Sequence, residues 1–192
     1  MTDTTEDLEL FDDAKEAFPA KEDLKDRLCL IWVTGKHGIR KGTDVGARPY
    51  PWYETVTLVI DDGPAWDGTK IVDGESQENL VPSVAENGPQ ELDGFQHTTS
   101  GLTSRLSQRI IPGSVQPTVN GEPVMDKPKT FKPMLGRINS RKNKTAGRSA
   151  SWSISEPTED DKVTARKYSD HIKAITERLS NPPAASDSDA FE

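Results

Sequence analysis

The chain has 192 residues and a formal net charge of −8, and 32% of its residues are hydrophobic while 29% are charged. Its single cysteine excludes an intramolecular disulfide and a cysteine-based zinc site. No stretch approaches the roughly 20 apolar residues that a membrane span needs. The acidic N-terminus is unlike a secretory or mitochondrial leader, so the sequence predicts a cytoplasmic protein.

Charge is unevenly distributed along the chain. Residues 1–27 carry ten acids against four bases, and residues 61–126 carry eleven acids against three bases. Residues 127–148 carry eight bases and no acid. Because charges beyond a Debye length of about 8 Å are screened in physiological salt, a polyanion responds to such a local group and not to the net charge.

The apolar pattern predicts two strands in the first third of the chain. Leu28 to Thr34 is typical of a buried strand, which makes Cys29 a small buried hydrophobe. Four glycines, at positions 35, 38, 42 and 46, then alternate with basic residues and predict a long flexible loop. Tyr50 to Asp61 predicts the next strand, with aliphatic side chains on one face and tyrosine and threonine side chains on the other.

Short strands and a helix are predicted in the middle of the chain. One or two strands are expected, around Lys70–Val72 and Asn79–Val84. Apolar residues at a spacing of four predict an amphipathic helix over residues 100–110. Residues 112–128 are rich in proline and glycine and are expected to form a loop.

The last third predicts a β-hairpin followed by a helix. Lys132 to Arg141 and Arg148 to Ser155 are the hairpin strands, joined by a basic turn. The core-facing residues of the hairpin are Met134, Ile138, Trp152 and Ile154. A helix that begins at Ser155 or Thr158 carries an apolar stripe and ends before two prolines. The stripe consists of Tyr168, Ile172, Ile175 and Leu179.

This order of elements indicates a mainly β protein with helices. The predicted architecture is an OB-fold-like five-stranded β-barrel with a C-terminal helix. Other small barrels and sandwiches would give a similar pattern. Residues 1–20 are predicted to form a flexible acidic arm, residues 21–180 the barrel domain, and residues 181–192 a disordered acidic tail.

Two segments combine the residue types that bind single-stranded nucleic acid. Such binding needs cations that follow the phosphates and aromatic faces on which bases stack, at about 1–3 kcal/mol per base. The predicted DNA-binding residues are Lys36, Arg40, Lys41, Arg48, Tyr50, Trp52, Tyr53, Phe131, Lys132, Arg137, Arg141, Lys142, Lys144 and Arg148. Tyr53 is the better stacking candidate, whereas Trp52 and Phe131 could stack or pack in the core, and Trp32 and Trp152 are expected in the core.

The sequence favours a binding protein over an enzyme. Its three histidines have no metal-ligand spacing, and it shows neither a phosphate-binding glycine loop nor a nucleophile elbow. Asp61, Asp62 and Asp67 could gather a Mg²⁺ ion, but Asp-Asp-Gly-Pro is more typical of a turn. No catalytic residue, metal or cofactor is therefore expected.

Three sequence patterns resemble a known family. They are the run Asp23–Leu28 leading into Ile31-Trp32-Val33, the segment Pro51–Thr55, and Leu135–Ile138 followed by Ser151-Trp152. Over roughly residues 20 to 180 the chain resembles the single-stranded-DNA-binding proteins of actinobacterial tailed phages, mycobacteriophages in particular. The resemblance implies an OB fold, sequence-tolerant coating of single-stranded DNA, and a role in phage DNA replication or recombination in the host cytoplasm.

The C-terminal tail has a second resemblance. Bacterial single-strand-binding proteins typically end in an acidic stretch that closes with Pro-Phe and docks on replication and repair enzymes. Asp187, Asp189 and Phe191 are similar in kind, which implies contacts with replication or recombination proteins. Phe191 is penultimate and no proline precedes it, so a merely solubilising tail is the alternative.

Two other functions stay open on the sequence. The net charge of −8 and the acid-rich residues 61–126 are compatible with an acidic module that binds a host protein as a DNA mimic. A strand-annealing recombination protein would show the same cations and aromatic residues. Assembly into a homo-oligomer, which would lengthen the DNA track, is compatible with each of these functions.

Overall fold

A six-stranded antiparallel sheet is the main element of the computed structural model, which describes residues 17–183. In chain order the elements are a 3₁₀ turn (Lys21–Leu24), β1 (Leu28–Arg40), β2 (Tyr50–Asp61), β3 (Thr69–Val72), β4 (Glu75–Glu78), α1 (Val84–Asn87), β5 (Gln90–His97), α2 (Ser100–Ser107), β6 (Ile110–Ile111), β7 (Val124–Met125), β8 (Lys127–Pro128), β9 (Met134–Arg141), β10 (Ser151–Ile154), α3 (Glu159–Arg166) and α4 (Ser169–Ser180).

The sheet has the strand order of a Greek key. Its order is β10-β9-β1-β2-β5, with β7 paired to the second half of β1. The strands β9-β1-β2-β5 thus follow the spatial order four-one-two-three. Strands β5 and β10 are the two edges, and no ladder joins them within residues 17–183. The prediction of a mainly β protein with helices is confirmed, while this sheet is not closed into a barrel.

Both faces of the sheet are buried, which explains the continuous apolar run at the start of β1. Cys29, Ile31 and Val33 face a cluster that includes residues of α2 and the predicted core residues of the β9–β10 hairpin. Leu28, Leu30 and Trp32 face a second cluster, which is covered by α3 and α4. The predicted stripe of the last helix packs on this second cluster, and the Trp32 indole donates to the Thr176 hydroxyl at 3.1 Å.

Strand β1 is longer than predicted. It continues to Arg40 through two glycines of the expected loop, so the loop covers only residues 41–49. The extension pairs with β2 on one side, as far as Arg40 opposite Tyr50. On the other side it pairs with β7, where Lys36 lies opposite Met125. Gly35 has a φ of +98°, which lets the strand bend where its register shifts. Lys36 and Arg40 therefore lie on a strand.

Two predictions in the middle of the chain were wrong. The second short strand is Glu75–Glu78, whereas residues 79–83 are irregular because Asp23, Arg27 and Asp62 hold them. Strand β5 was not predicted at all. It is largely polar, and Gly94, at a φ of +73°, lies at a register shift that interrupts the alternation of side chains.

The C-terminal helix is two helices separated at Lys167 and Tyr168. Thr158 caps α3 by accepting the Asp161 backbone N–H, as the sequence allows. The helix over residues 100–110 is confirmed but ends at Ser107. The proline-rich residues 112–128 also form β7 and β8. No helix within the described part of the chain is long and apolar enough to cross a membrane.

The three aspartates considered for Mg²⁺ serve other purposes. Asp62 accepts hydrogen bonds from the backbone of Val84 and Ala85, from Ser83 and from Arg27. Burial would raise the pKa of Asp62, but these hydrogen bonds outweigh it and lower the pKa. Asp67 caps the turn before Thr69. Within residues 17–183 no group of three or more His, Cys, Asp or Glu could hold a metal ion.

Candidate nucleic-acid interface

The end of the β1–β2 hairpin brings an arginine onto a tryptophan. Gly38 pairs with Trp52 and Arg40 pairs with Tyr50 across the two strands. The Arg40 guanidinium lies 5.1 Å from the centre of the Trp52 ring. A Cβ atom at Gly38 would lie 2.7 Å from the Trp52 indole nitrogen, so only glycine lets the ring lie against β1. Trp52 is consequently only 5% exposed, with Arg40 as its polar cover.

Three cations at this end have no acidic partner. Arg40, Lys41 and Arg48 are exposed, and no ion pair joins them to a carboxylate within residues 17–183. We call them the hairpin-end group. Lys36 differs, because its ammonium lies 3.4 Å from the Glu54 carboxylate. The hairpin-end group is therefore available to an external anion, while Lys36 is neutralised.

A cleft separates the hairpin end from helix α2. One wall consists of Tyr50, Pro51 and Tyr53, and the other carries hydroxyl groups. The hydroxyl-bearing residues are Thr98, Ser100, Thr103, Ser104 and Ser107. Sequence analysis did not single out these hydroxyl groups, although four serines and threonines within α2 were a visible signal. The Thr103 and Ser107 hydroxyl groups donate to backbone carbonyls of α2. The other three can donate to phosphate oxygens, so the cleft suits a polynucleotide.

Tyr53 lies beneath this cleft in a stack with His37. The two rings are 5.2 Å apart at their centres and 9° from parallel. The Nε2 atom of His37 is 2.8 Å from the Asp126 carboxylate. Burial raises the pKa of the Tyr53 phenol above its ordinary value. One face of Tyr53 is thus occupied by His37, and sequence analysis missed both His37 and Asp126.

A second cationic group occupies the β9–β10 turn. Arg141, Lys142, Lys144 and Arg148 are exposed there, and none has an acidic partner within residues 17–183. We call them the turn group. Beside them lies a shallow polar recess, as the predicted polar face of the hairpin requires. Its lining residues are Asn139, Ser140, Arg141, Ser151 and Ser153.

Arg137 lies on the same strand but is held by acids. Its guanidinium is 2.8 Å from the Asp61 carboxylate and 3.0 Å from the Asp161 carboxylate, and it donates to the Asp26 carbonyl. Burial would lower the pKa of Arg137, but the hydrogen bonds and charges of the two carboxylates outweigh it and raise the pKa. The charge of Arg137 is therefore compensated within the protein.

The two cationic groups lie at opposite ends of β1. Leu28 pairs with Arg137 and Ile31 pairs with Met134, so the C-terminal end of β9 extends past the N-terminal end of β1. The hairpin-end group is instead at the far end of β1, near Arg40. One continuous polyanion would have to follow β1 to reach both groups.

The other predicted residues lie apart from these groups. Phe131 is half-buried and Lys132 is exposed, in the segment that leads into β9, where the Lys132 carbonyl accepts from Arg109 at 3.0 Å. The predicted tail residues Asp187, Asp189 and Phe191 lie outside the described residues.

A groove of 780 Å³ runs along β5. Its charged lining residues are Lys21, Arg40, Glu22, Glu91 and Asp93. The acids outnumber the bases, so this groove attracts a polyanion less than the hairpin end does.

Comparisons with protein-family models, with curated proteins and with solved structures found no match for this chain. Evidence for function therefore comes from the fold and from the side chains of the interface.

Proposed function

We propose that this protein binds and coats single-stranded DNA with little regard to sequence, during DNA replication or recombination. The observation that carries this proposal is the hairpin end, which combines three cations without an acidic partner in residues 17–183, the contact of one of them, Arg40, with Trp52, and the tyrosine-lined cleft. Cations that follow phosphates beside aromatic faces that stack bases are the combination that single-strand binding requires. The resemblance to phage single-stranded-DNA-binding proteins supports the same function.

We further propose that the sheet is a partly open OB-type barrel. An OB fold binds oligonucleotides on the face of its second and third strands and with the loops that join strands one to two and four to five. Counting only the five strands on the main path of the sheet, β2 and β5 are the second and third in chain order. Residues 41–49 and 142–150 are then the two binding loops. Both cationic groups belong to these loops or flank them, which supports the assignment.

Fluorescence titration of the intrinsic tryptophans with oligo(dT) of about 20 nucleotides tests the proposal. We expect saturable quenching that reverses with salt. The triple variant Arg40→Ala, Lys41→Ala, Arg48→Ala should lower the affinity by roughly two orders of magnitude at about 50 mM salt. The salt slope should fall by about 2, since each phosphate contact of single-stranded DNA contributes about 0.7.

A matched control removes the same charge elsewhere. Arg166, Lys167 and Lys173 are exposed on or beside α3 and α4, and replacing all three by alanine should leave the salt slope unchanged. Equal weakening by both triple variants would mean that overall charge, and not the hairpin end, drives binding. Absence of any binding to oligo(dT) at low salt would contradict the proposed function.

The second candidate function is an acidic interaction module. The exposed β3–β4 hairpin carries Asp73, Glu75 and Glu78, and no ion pair neutralises them within residues 17–183. Capture of a host protein that survives nuclease treatment, together with no affinity for oligonucleotides, would favour this candidate.

A further inference from the structure

A small recess lies beside the hairpin end. Its volume is 280 Å³, and it opens between the hairpin and residues 110–117. Apolar side chains and glycines form most of its wall, and five polar side chains also line it: His37, Tyr53, Ser107, Gln116 and Asp126. Val115 lines the recess and is 64% exposed. Mostly apolar walls with a few fixed polar groups are typical of a ligand site.

His37 is held rigidly in this recess. Its ring stacks on Tyr53, its Nε2 atom is 2.8 Å from Asp126, and the residue is only 9% exposed. The other ring nitrogen, Nδ1, has no hydrogen-bond partner within residues 17–183. The one fully buried side-chain nitrogen or oxygen without a partner in this part of the chain is Nε of Arg27. The Nδ1 atom of His37 is therefore not sealed off, and His37 lines the recess.

The Asp126 carboxylate determines which hydrogen bond Nδ1 can make. An ionised carboxylate only accepts, so Nε2 of His37 carries the proton and donates it. In the neutral imidazole, Nδ1 is then an acceptor. The Nδ1 atom can therefore accept a hydrogen bond from a planar ring that presents a ring N–H. Thymine and guanine present such an N–H on their Watson–Crick edges, whereas cytosine and adenine present a ring acceptor there.

We propose that this recess takes one splayed-out base of the bound strand and prefers a base with a ring N–H, such as thymine. The inference rests on the proposed function, because the neighbouring hairpin-end group would hold the phosphates of the same strand. Recognition of an unstacked base on its Watson–Crick edge is common in single-strand binding. A fixed imidazole adds a base preference to an otherwise sequence-tolerant site.

Competition between oligo(dT), oligo(dU) and oligo(dC) at about pH 8, above the ordinary titration range of histidine, tests the proposal. Oligo(dU) controls for the thymine methyl group. We expect oligo(dT) and oligo(dU) to bind about three- to tenfold more tightly than oligo(dC), the ratio that one net hydrogen bond gives. The variant His37→Phe keeps the ring stack but lacks the nitrogens, and should bring the ratio close to one.

The matched control is His171→Phe, an exposed histidine of α4, which should keep the wild-type ratio. Equal binding of oligo(dT) and oligo(dC) by the wild type would overturn the inference. A ratio that persists in His37→Phe would also overturn it, because stacking alone then explains the preference. In both cases the proposed function stands. Failure to bind any of the three oligonucleotides would overturn both.

A measurement on the wild type covers the case in which His37→Phe does not fold. Imidazole ¹H–¹⁵N spectra report hydrogen bonding at each ring nitrogen. Oligo(dT) should shift the Nδ1 resonance of His37, and oligo(dC) should not. An unchanged Nδ1 resonance at saturation with oligo(dT) would overturn the inference.

Discussion

The two cationic groups carry similar charge but differ in their surroundings. The hairpin-end group stands beside Trp52, Tyr50 and Tyr53 and beside a hydroxyl-lined cleft. The turn group stands beside serine and asparagine side chains. A strand at the hairpin end can therefore place bases against the tyrosine wall of the cleft, whereas Trp52 is covered by Arg40. A strand at the turn group contacts the protein through its phosphates. Similar local charge thus leads to two different roles, which the neighbouring side chains decide.

The largest predicted effect separates the two groups by oligonucleotide length. Strand β1 has 13 residues and therefore extends up to about 40 Å between the groups. An oligonucleotide of about five nucleotides should occupy only the hairpin end, while one of about 20 should reach both groups. The variant Lys142→Ala, Lys144→Ala, Arg148→Ala should weaken binding of the longer one up to about 100-fold at low salt, and leave the shorter one within about twofold.

Anisotropy titrations with labelled oligo(dT) of both lengths measure this difference. The hairpin-end triple variant provides the comparison, since it should weaken both lengths. If the turn-group variant weakened the short oligonucleotide as strongly as the long one, the assignment of stacking to the hairpin end would be wrong.

Arg137 and Arg141 sharpen the comparison within one strand. Replacing Arg137 by methionine leaves Asp161, whose side chain is 6% exposed, without its cation. We expect the free energy of unfolding to fall by about 2 kcal/mol, with the DNA affinity of the folded protein unchanged. Replacing the exposed Arg141 should weaken DNA binding severalfold and change stability by less than about 0.5 kcal/mol.

Urea denaturation and fluorescence titration of the same two variants measure both quantities. A clear loss of DNA affinity in a stably folded Arg137→Met variant would show that Arg137 belongs to the interface. The sequence prediction placed both arginines among the DNA-binding residues. Their difference arises from Asp61 and Asp161, which the fold brings from other elements.

Local patterns predicted what depends on neighbours along the chain. Strand β2 has the predicted bounds, Tyr50 to Asp61, because its alternation and its turn residues are both local signals. The expected loop after Thr34 became a strand because β7 and β2 pair with it from outside. Glycine at position 38 marks the close approach of the Trp52 ring, which is a contact between strands and leaves no local pattern.

In the candidate site, too, the sequence predicted what depends on neighbours along the chain. Clusters of lysine and arginine and the run Tyr50-Pro51-Trp52-Tyr53 were visible in the sequence. Which cations are free, as Arg48 is, and which are paired, as Lys36 is with Glu54, depends on distant carboxylates. The recess around His37 and Asp126 also joins residues far apart in the chain. No spacing rule could have found it.

The remaining prediction concerns the support beneath the hairpin end. His97 pairs with Tyr53 across β5 and β2, and its ring is 4.7 Å from that of Phe95. Its Nε2 atom is 3.2 Å from the Thr57 hydroxyl. Burial lowers the pKa of His97 to about 3, so the ring stays neutral in the folded protein.

Lowering the pH should therefore destabilise the folded protein through His97. An unfolded chain binds a proton at His97 near the ordinary pKa of about 6.5, while the folded chain does not. The free energy of unfolding should fall by on the order of 1 kcal/mol per pH unit as the pH drops from about 6.5 towards 4.5. Asp62 and Asp161 have lowered pKa values, so their stabilising contributions persist through this window and are lost only at more acidic pH.

Urea denaturation at several pH values measures the slope, and His97→Gln is the informative variant. Glutamine does not titrate, so this variant should be less stable than the wild type at pH 7 and lose less stability between about pH 6.5 and 4.5. His171→Gln, at an exposed position of α4, should keep the wild-type slope. An unchanged slope in His97→Gln would mean that another group causes the acid sensitivity, and that the hairpin end does not depend on a neutral His97.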